Sequence, residues 1–173
     1  HAAEPHRRGL RVTVLDRDQR AVGASIRNFG HLCVTPQHGE ALDYALAARG
    51  RWLELGRAAG FDVRECGTVV LARSAAEAGV LEEFAAARGA EQVRMLTVEG
   101  ARVLMPLVAP DVVAAAHLPL DLRVDPRVAV PALAAWLADQ GVDFRFGTHV
   151  GALDAGVVRT ACGDFKAERI VHA

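Results

Sequence analysis

The segment Leu10-Arg11-Val12-Thr13-Val14-Leu15 constrains this chain more than any other. It is a short apolar, β-branched run set off by Gly9 and ended by Asp16, which suits a strand buried in a parallel sheet. Residues His1 to Arg8 look like the last turns of a helix, with Gly9 as its C-terminal stop. Pro5 fits there only if the helix starts near it or kinks at it.

Further along, residues 18 to 39 read as a long loop carrying Gly23, Gly30 and Gly39. A helix is expected from Glu40 to Ala59, with Leu42, Leu46, Trp52 and Leu53 as its apolar stripe and Gly60 as its stop. Cys66 to Ala72 reads as a strand, and Ser74-Ala75-Ala76-Glu77 as a capping box opening a helix that ends at Gly89. A shorter helix is expected between Thr97 and Pro106, then strands at Val112–His117 and Leu122–Val124. Asp125-Pro126 is an N-cap followed by proline at the first helical position, and Gly141 ends the helix it opens. Val142 to Phe146 alternates as a half-buried strand does. The tail carries a strand at Val157–Thr160, a turn at Cys162–Asp164 and a last strand through Ile170-Val171. Strands alternate with helices at both ends, so the class is α/β, with the less regular middle read as an inserted second domain.

Composition excludes several functions. Hydrophobic residues make up 51% and charged residues 24%, the balance of a folded globular chain. The net charge is −1, and no basic patch or basic–aromatic interleaving suggests nucleic acid. No apolar stretch approaches the ~20 residues that span a bilayer. The three cysteines (Cys33, Cys66, Cys162) are scattered and form no CxxC pair, which argues against a disulfide framework and for a reducing cytosol. Small apolar filler is their simplest role. The seven histidines (His1, His6, His31, His38, His117, His149, His172) show no metal-ligand spacing, so no metal is expected.

Two features point to chemistry. Asp16 closes the first strand, where an acidic side chain in a dinucleotide fold accepts hydrogen bonds from a ribose. The plainer reading is a solvated turn residue. The segment Gly23-Ala24-Ser25-Ile26-Arg27-Asn28-Phe29-Gly30-His31 has small residues that admit a ligand to the backbone, and polar ones that bind phosphate or ring heteroatoms. An ordinary surface loop would hold similar residues, although Ile26 and Phe29 sit poorly in a fully solvated one.

The run RRGLRVTVLDRD followed by GASIRNFGH resembles the second strand and flavin-contacting loop of the D-amino-acid oxidase superfamily, which includes glycine oxidase, sarcosine oxidase and D-amino-acid dehydrogenase. CGTVVLAR resembles the first strand of that family's substrate domain. RVDPRVAVPALAAWLADQGVDFRFGTHV resembles its return to the flavin domain, and VVRTACGDFKAERIVHA the following hairpin and strand. The loop is most similar to that of the subgroup proposed for aminophosphonate utilisation. The resemblance implies a partial Rossmann-like FAD-binding domain, residues 1–62 and 124–173, with a partial inserted α+β substrate-binding domain, residues 63–123.

The resemblance also implies roles. Asp16 would bind the adenosine ribose, with Arg17 near the adenine. Ala24 and Ser25 would lie along the pyrophosphate and ribityl chain. Arg27, Asn28, Gly30 and His31 would approach the isoalloxazine ring, which makes Arg27 and His31 the flavin-proximal candidates for catalysis. Val150 would meet the adenine through its backbone. For His31 a loop residue capping the backbone, and for Val150 a core valine, are the competing readings. The implied reaction oxidises a C–N bond of a small amine or amino acid by hydride transfer to FAD, with no general base demanded of the protein.

In this family a first strand and a Gly-x-Gly-x-x-Gly turn should precede His1, and a second half should follow Ala173, so the expectation is a fragment of a longer protein. A non-catalytic subunit that needs a partner chain is one rival, and a nicotinamide-dependent dehydrogenase another. A homo-oligomer is left open.

Overall fold

A computed structural model describes all of residues 1–173. The chain forms two compact units. One comprises His1–Asn28, Ala58–Phe61 and Pro126–Ala173; the other comprises Phe29–Arg57 and Asp62–Asp125.

The first unit begins with helix α1 (Ala3–Arg7) and strand β1 (Thr13–Asp16). Pro5 lies in the first turn of α1, where its missing N–H has no intrahelical partner to lose. Its carbonyl accepts the N–H of Leu10 at 3.1 Å, and this holds Leu10 out of the strand, 49% exposed. The strand therefore starts at Thr13 rather than at Leu10. A short 3-10 turn at Ala24–Ile26 lies against α5 (Pro126–Asp139). Pro126 opens α5, and Gly141, at φ +97°, lets the chain reverse into β8 (Asp143–Phe146). β1 and β8 pair in parallel from Thr13↔Asp143 to Asp16↔Phe146.

An antiparallel meander follows: β9 (Val150–Asp154), β10 (Val157–Thr160) and β11 (Gly163–Lys166). Arg159 of β10 reaches Asp154 at 2.6 Å and Asp164 at 3.1 Å, pinning the three strands on the exposed face. The expected final strand at Ile170-Val171 does not form. Those residues pair with no strand, and Val171 is 64% exposed.

The second unit holds α2 (Glu40–Ala59, most of its length), α3 (Ala75–Arg88) and α4 (Val98–Leu104). Two three-stranded antiparallel sheets accompany them. One has the order β2 (His31–Leu32), β7 (Leu122–Val124), β3 (Val63–Arg64). The other has the order β4 (Thr68–Ala72), β6 (Ala114–Leu118), β5 (Arg94–Leu96). Ser74 caps α3 by accepting the Glu77 N–H at 3.2 Å, while Glu77 turns its carboxylate to the Arg73 N–H instead of closing a reciprocal box. Thr97 caps α4 in the same way, accepting from Gly100 at 3.1 Å. Ala72, Leu81, Val93, Ala116 and Leu118 form the core between α3 and the second sheet. Each of the larger ones contributes about 1.5–3 kcal/mol by leaving water. Along α2, Leu42, Trp52 and Leu53 are half-buried as expected, but Leu46 is 39% exposed, one position off the stripe through Ala45, Arg49 and Gly56.

No helix is long and apolar enough to cross a membrane.

Candidate functional site

In the first unit, the carboxyl ends of β1 and β8 are laced together. The Asp16 carbonyl accepts the Thr148 N–H at 2.8 Å, and the Asp18 carbonyl accepts the Gly147 N–H at 2.9 Å. Crevices outside the carboxyl ends of parallel strands are where open α/β sheets bind ligands. Asp16 is the last residue of β1 and half-buried there. Its Oδ1 accepts the Asp18 N–H at 2.9 Å, so one oxygen does serve the turn; Oδ2 takes no hydrogen bond from the protein. The turn therefore uses one oxygen of this carboxylate and leaves the other unengaged by the protein. Arg17 is exposed beside it and makes no ion pair. Val150 opens β9, an edge strand covered on one side only by β10, so every second residue turns its N–H and C=O outward.

Ala24 and Ser25 are exposed within the 3-10 turn. Asn28 shapes that turn: its amide donates to the Ala24 carbonyl at 3.0 Å and the Ser25 carbonyl at 3.1 Å. Arg27 follows the turn with its side chain exposed and without an ion-pair partner, a cation open to an anionic ligand. Of the two apolar loop residues, Ile26 is half-buried but Phe29 is 89% exposed.

Gly30 and His31 belong to the second unit. Gly30 is buried at φ +69°, and its carbonyl accepts the Val124 N–H at 3.0 Å, which binds the loop's end to β7. His31 does not cap the backbone. Its Nε2 lies 2.9 Å from Asp121 Oδ2 and 3.0 Å from Thr68 Oγ1. Asp121, wholly buried, also takes the backbone N–H groups of Val34 (3.0 Å) and Thr35 (2.9 Å) on Oδ1. Burial alone would push the Asp121 carboxyl up. The donors at Thr35, His31, Val34 and Thr68 outweigh that and hold it below the usual carboxylate range.

Cys33 completes this group. The ligand atoms of His31, Cys33 and Asp121 all lie within 4.8 Å of one another, which linear spacing gave no hint of. These are ligand types that zinc takes, but every carboxylate oxygen here is already engaged by donors. Burial, and then the Asp121 charge, push the Cys33 thiol up, which keeps it protonated and a poor nucleophile. The cluster is thus a hydrogen-bonded Asp–His pair with a thiol beside it. Asp121 and Thr68 were missed in the sequence. The one available signal is that Asp121 is a lone acid in the otherwise apolar run Leu118-Pro119-Leu120-Asp121-Leu122.

The whole chain, residues 1–173, matches the family described as FAD dependent oxidoreductase (DAO). No curated protein matches the sequence. Among solved structures, the chain is similar to glycine oxidase from Geobacillus kaustophilus, at 27% identity and a TM-score of 0.82 over 96% of this chain and 49% of that one. It also resembles L-proline dehydrogenase from P. horikoshii, at 23% identity and a TM-score of 0.83 over 96% of this chain and 47% of that one. A third is L-alpha-glycerophosphate oxidase from Mycoplasma pneumoniae with FAD bound, at 24% identity and a TM-score of 0.78 over 94% of this chain and 47% of that one. The last two likenesses speak to the fold alone. The chain spans about half the length of these solved structures.

Proposed function

The chain belongs to the family of FAD-dependent oxidoreductases, and from that premise we propose that it serves the oxidation of a C–N bond in a small amine or amino acid by hydride transfer to FAD. In this reading residues 1–62 and 124–173 make the flavin-binding part and residues 63–123 the substrate-binding part. The observation that carries the reading is Asp16. Its Oδ2 is without a protein partner at the carboxyl end of a parallel strand, where a ribose hydroxyl can donate to it. The similarity to a glycine oxidase at 27% identity favours a C–N bond as the bond oxidised.

In this reading Asp16 holds the ribose, and Arg17 and the backbone of Val150 flank the adenine. Ala24 and Ser25 run beside the pyrophosphate and ribityl chain. Arg27, Asn28, Gly30 and His31 face the ring system. The flavin supplies the electron acceptor. The protein's own residues bind, orient and set the local charge. Arg27, with no carboxylate paired to it, also suits a substrate bearing a carboxylate or phosphonate, which keeps an aminophosphonate within the substrate class. The scattered free cysteines fit a reducing, cytoplasmic setting.

The test is direct. The purified protein should be yellow, release FAD on denaturation, and be bleached anaerobically by one or more of glycine, N-methylglycine, D-amino acids and 2-aminoethylphosphonate. Asp16→Ala should weaken FAD binding by roughly 10- to 100-fold, the size expected for one lost hydrogen bond to a charged group. A colourless protein that cannot be reconstituted would sink the reading and leave a partner-dependent subunit. A colourless protein that reduces an added nicotinamide cofactor with one of these amines would favour the nicotinamide-dependent dehydrogenase.

A further inference from the structure

His31 is the first residue of β2, and Asp121 stands immediately before β7; the two strands pair as His31↔Arg123 and Leu32↔Leu122. Within the second unit this pairing lays the imidazole edge over the carboxylate. All hydrogen bonds of the ring run through Nε2, to Asp121 Oδ2 at 2.9 Å and Thr68 Oγ1 at 3.0 Å. The side chains differ sharply in exposure, 40% for His31 and 0% for Asp121. An ionised carboxylate has lone pairs and no proton to give, so Nε2 must be the nitrogen that carries the hydrogen. In the neutral ring the second nitrogen, Nδ1, then keeps its in-plane lone pair. A buried acid that fixes the tautomer and orientation of a half-exposed imidazole is the arrangement that makes histidine a proton acceptor. It exceeds what a structural tie requires, because the Val34 and Thr35 amides and the Thr68 hydroxyl already satisfy the carboxylate.

We propose that His31 Nδ1 accepts the proton of the substrate's ammonium group, with Asp121 as its positioning residue; this rests on the reading of the chain as a flavin-dependent amine oxidoreductase. Amines of the proposed class are ammonium ions near neutral pH. Their nitrogen has no lone pair until a proton leaves. In the step proposed, the substrate ammonium and neutral His31 become the neutral amine and the His31 imidazolium, one N–H bond breaking and another forming. The electron pair of the adjacent C–H bond then departs with its hydrogen as hydride to the oxidised flavin. The nitrogen lone pair forms the C=N bond, and the product is the protonated imine. The imidazolium returns its proton to solvent. The other charged or titratable groups on this sheet are Arg64 on β3 and Arg123 on β7, with Cys33 directly after β2 and His117 on β6 of the neighbouring sheet. None of these hydrogen-bonds to Nδ1.

Two measurements on the FAD-loaded protein decide the matter. Long-range ¹H–¹⁵N correlation on protein labelled at histidine should show His31 with Nε2 protonated and Nδ1 free. Asp121→Asn, which replaces one acceptor by a donor, should shift it toward the opposite tautomer. A wild-type His31 protonated on Nδ1 overturns the proposal whatever the activity. Anaerobic flavin reduction by the most active amine should be slowed roughly 10²- to 10⁴-fold in His31→Gln near neutral pH, the usual span for loss of a general base. That deficit should close as the pH approaches the amine's own pKa, where the neutral amine forms without help. A His31→Gln protein reduced at the wild-type rate, or slowed by the same factor at every pH, refutes the role. If no amine bleaches the wild-type flavin, the amine-oxidation reading itself has failed, and the proposal with it. Should Asp121→Asn not fold, the surface-lying His31→Gln still carries the kinetic arm.

Discussion

The backbone N–H of Thr35 donates to Asp121 Oδ1 across 2.9 Å, joining positions 86 residues apart in the sequence. The same oxygen accepts the Val34 N–H at 3.0 Å, so one buried carboxylate closes the chain just after β2. Removing it would leave two buried amides without an acceptor and His31 without its charged partner. Asp121→Ala is expected to lower the free energy of unfolding by about 2–6 kcal/mol, since each of the two buried amides left without an acceptor costs about 1–3 kcal/mol. Urea denaturation checks it, and a loss below about 1 kcal/mol would show that water replaces the carboxylate without penalty.

The same group sets an acid dependence. Burial works to raise the Asp121 carboxyl, but its hydrogen bonds from Thr35, His31, Val34 and Thr68 leave it below its ordinary value in the folded state. A depressed folded pKa means the folded chain binds this proton less readily than the unfolded chain. The stabilisation is therefore complete above the unfolded carboxylate value of about 4 and is lost as the pH falls through the folded value. The urea midpoint of the wild type should drop below about pH 4 more steeply than that of Asp121→Asn, which has no carboxyl to titrate. Parallel curves for the two proteins would contradict the assignment.

How much of this could be read in the sequence follows from how local each feature is. α2, α3 and α5 were legible because their ends are punctuated by residues at or beside the helix boundaries: Gly60, the Ser74 cap with Gly89, and Asp125-Pro126 with Gly141. β2 and β3 were not legible. Two residues cannot display a period, and both strands exist because β7 lies between them as a common partner. The position of Asp16 at a strand end was legible for the same reason as the helices, a local change from apolar to charged. The Asp121–His31 pair was invisible because its members lie 90 residues apart and meet only once β2 pairs with β7. His31 was noticed from its loop, but its partner needed the fold.

Two glycines should respond to alanine with opposite signs. Gly67 sits at φ +67° just before β4, and a Cβ there would come within 2.8 Å of the Leu118 carbonyl and press on the His117 ring. Gly67→Ala combines a left-handed backbone with a clash against main chain and should destabilise by about 1–3 kcal/mol or more. Gly79 lies in the middle of α3 with open space where its Cβ would be. Gly79→Ala should stabilise by about 0.5–1 kcal/mol through helix propensity. Thermal melts of the two variants beside wild type make the comparison, and a shift of the same sign in both would count against the local geometry at Gly67.

Arg27 offers the sharpest separation between a ligand-facing loop and a solvated one. Its side chain is exposed and unpaired, directly after a 3-10 turn that Asn28 holds in shape through the Ala24 and Ser25 carbonyls. If that turn presents Arg27 to the flavin ring, the guanidinium favours the anionic reduced form over the neutral oxidised one. Arg27→Ala would then remove about 1–3 kcal/mol of stabilisation from the reduced state alone, the usual size of a hydrogen bond to a charged group. The flavin midpoint potential should fall and amine oxidation should slow. Thermal stability should barely change, because surface side chains away from caps and cores seldom matter by more than about 0.5 kcal/mol. Arg27→Lys keeps the charge but loses the planar donor pair, so it should recover part of the potential and less of the rate. A redox titration of both variants beside wild type, with melts in parallel, decides the point. An unchanged potential in Arg27→Ala would return the residue to the solvent-facing surface.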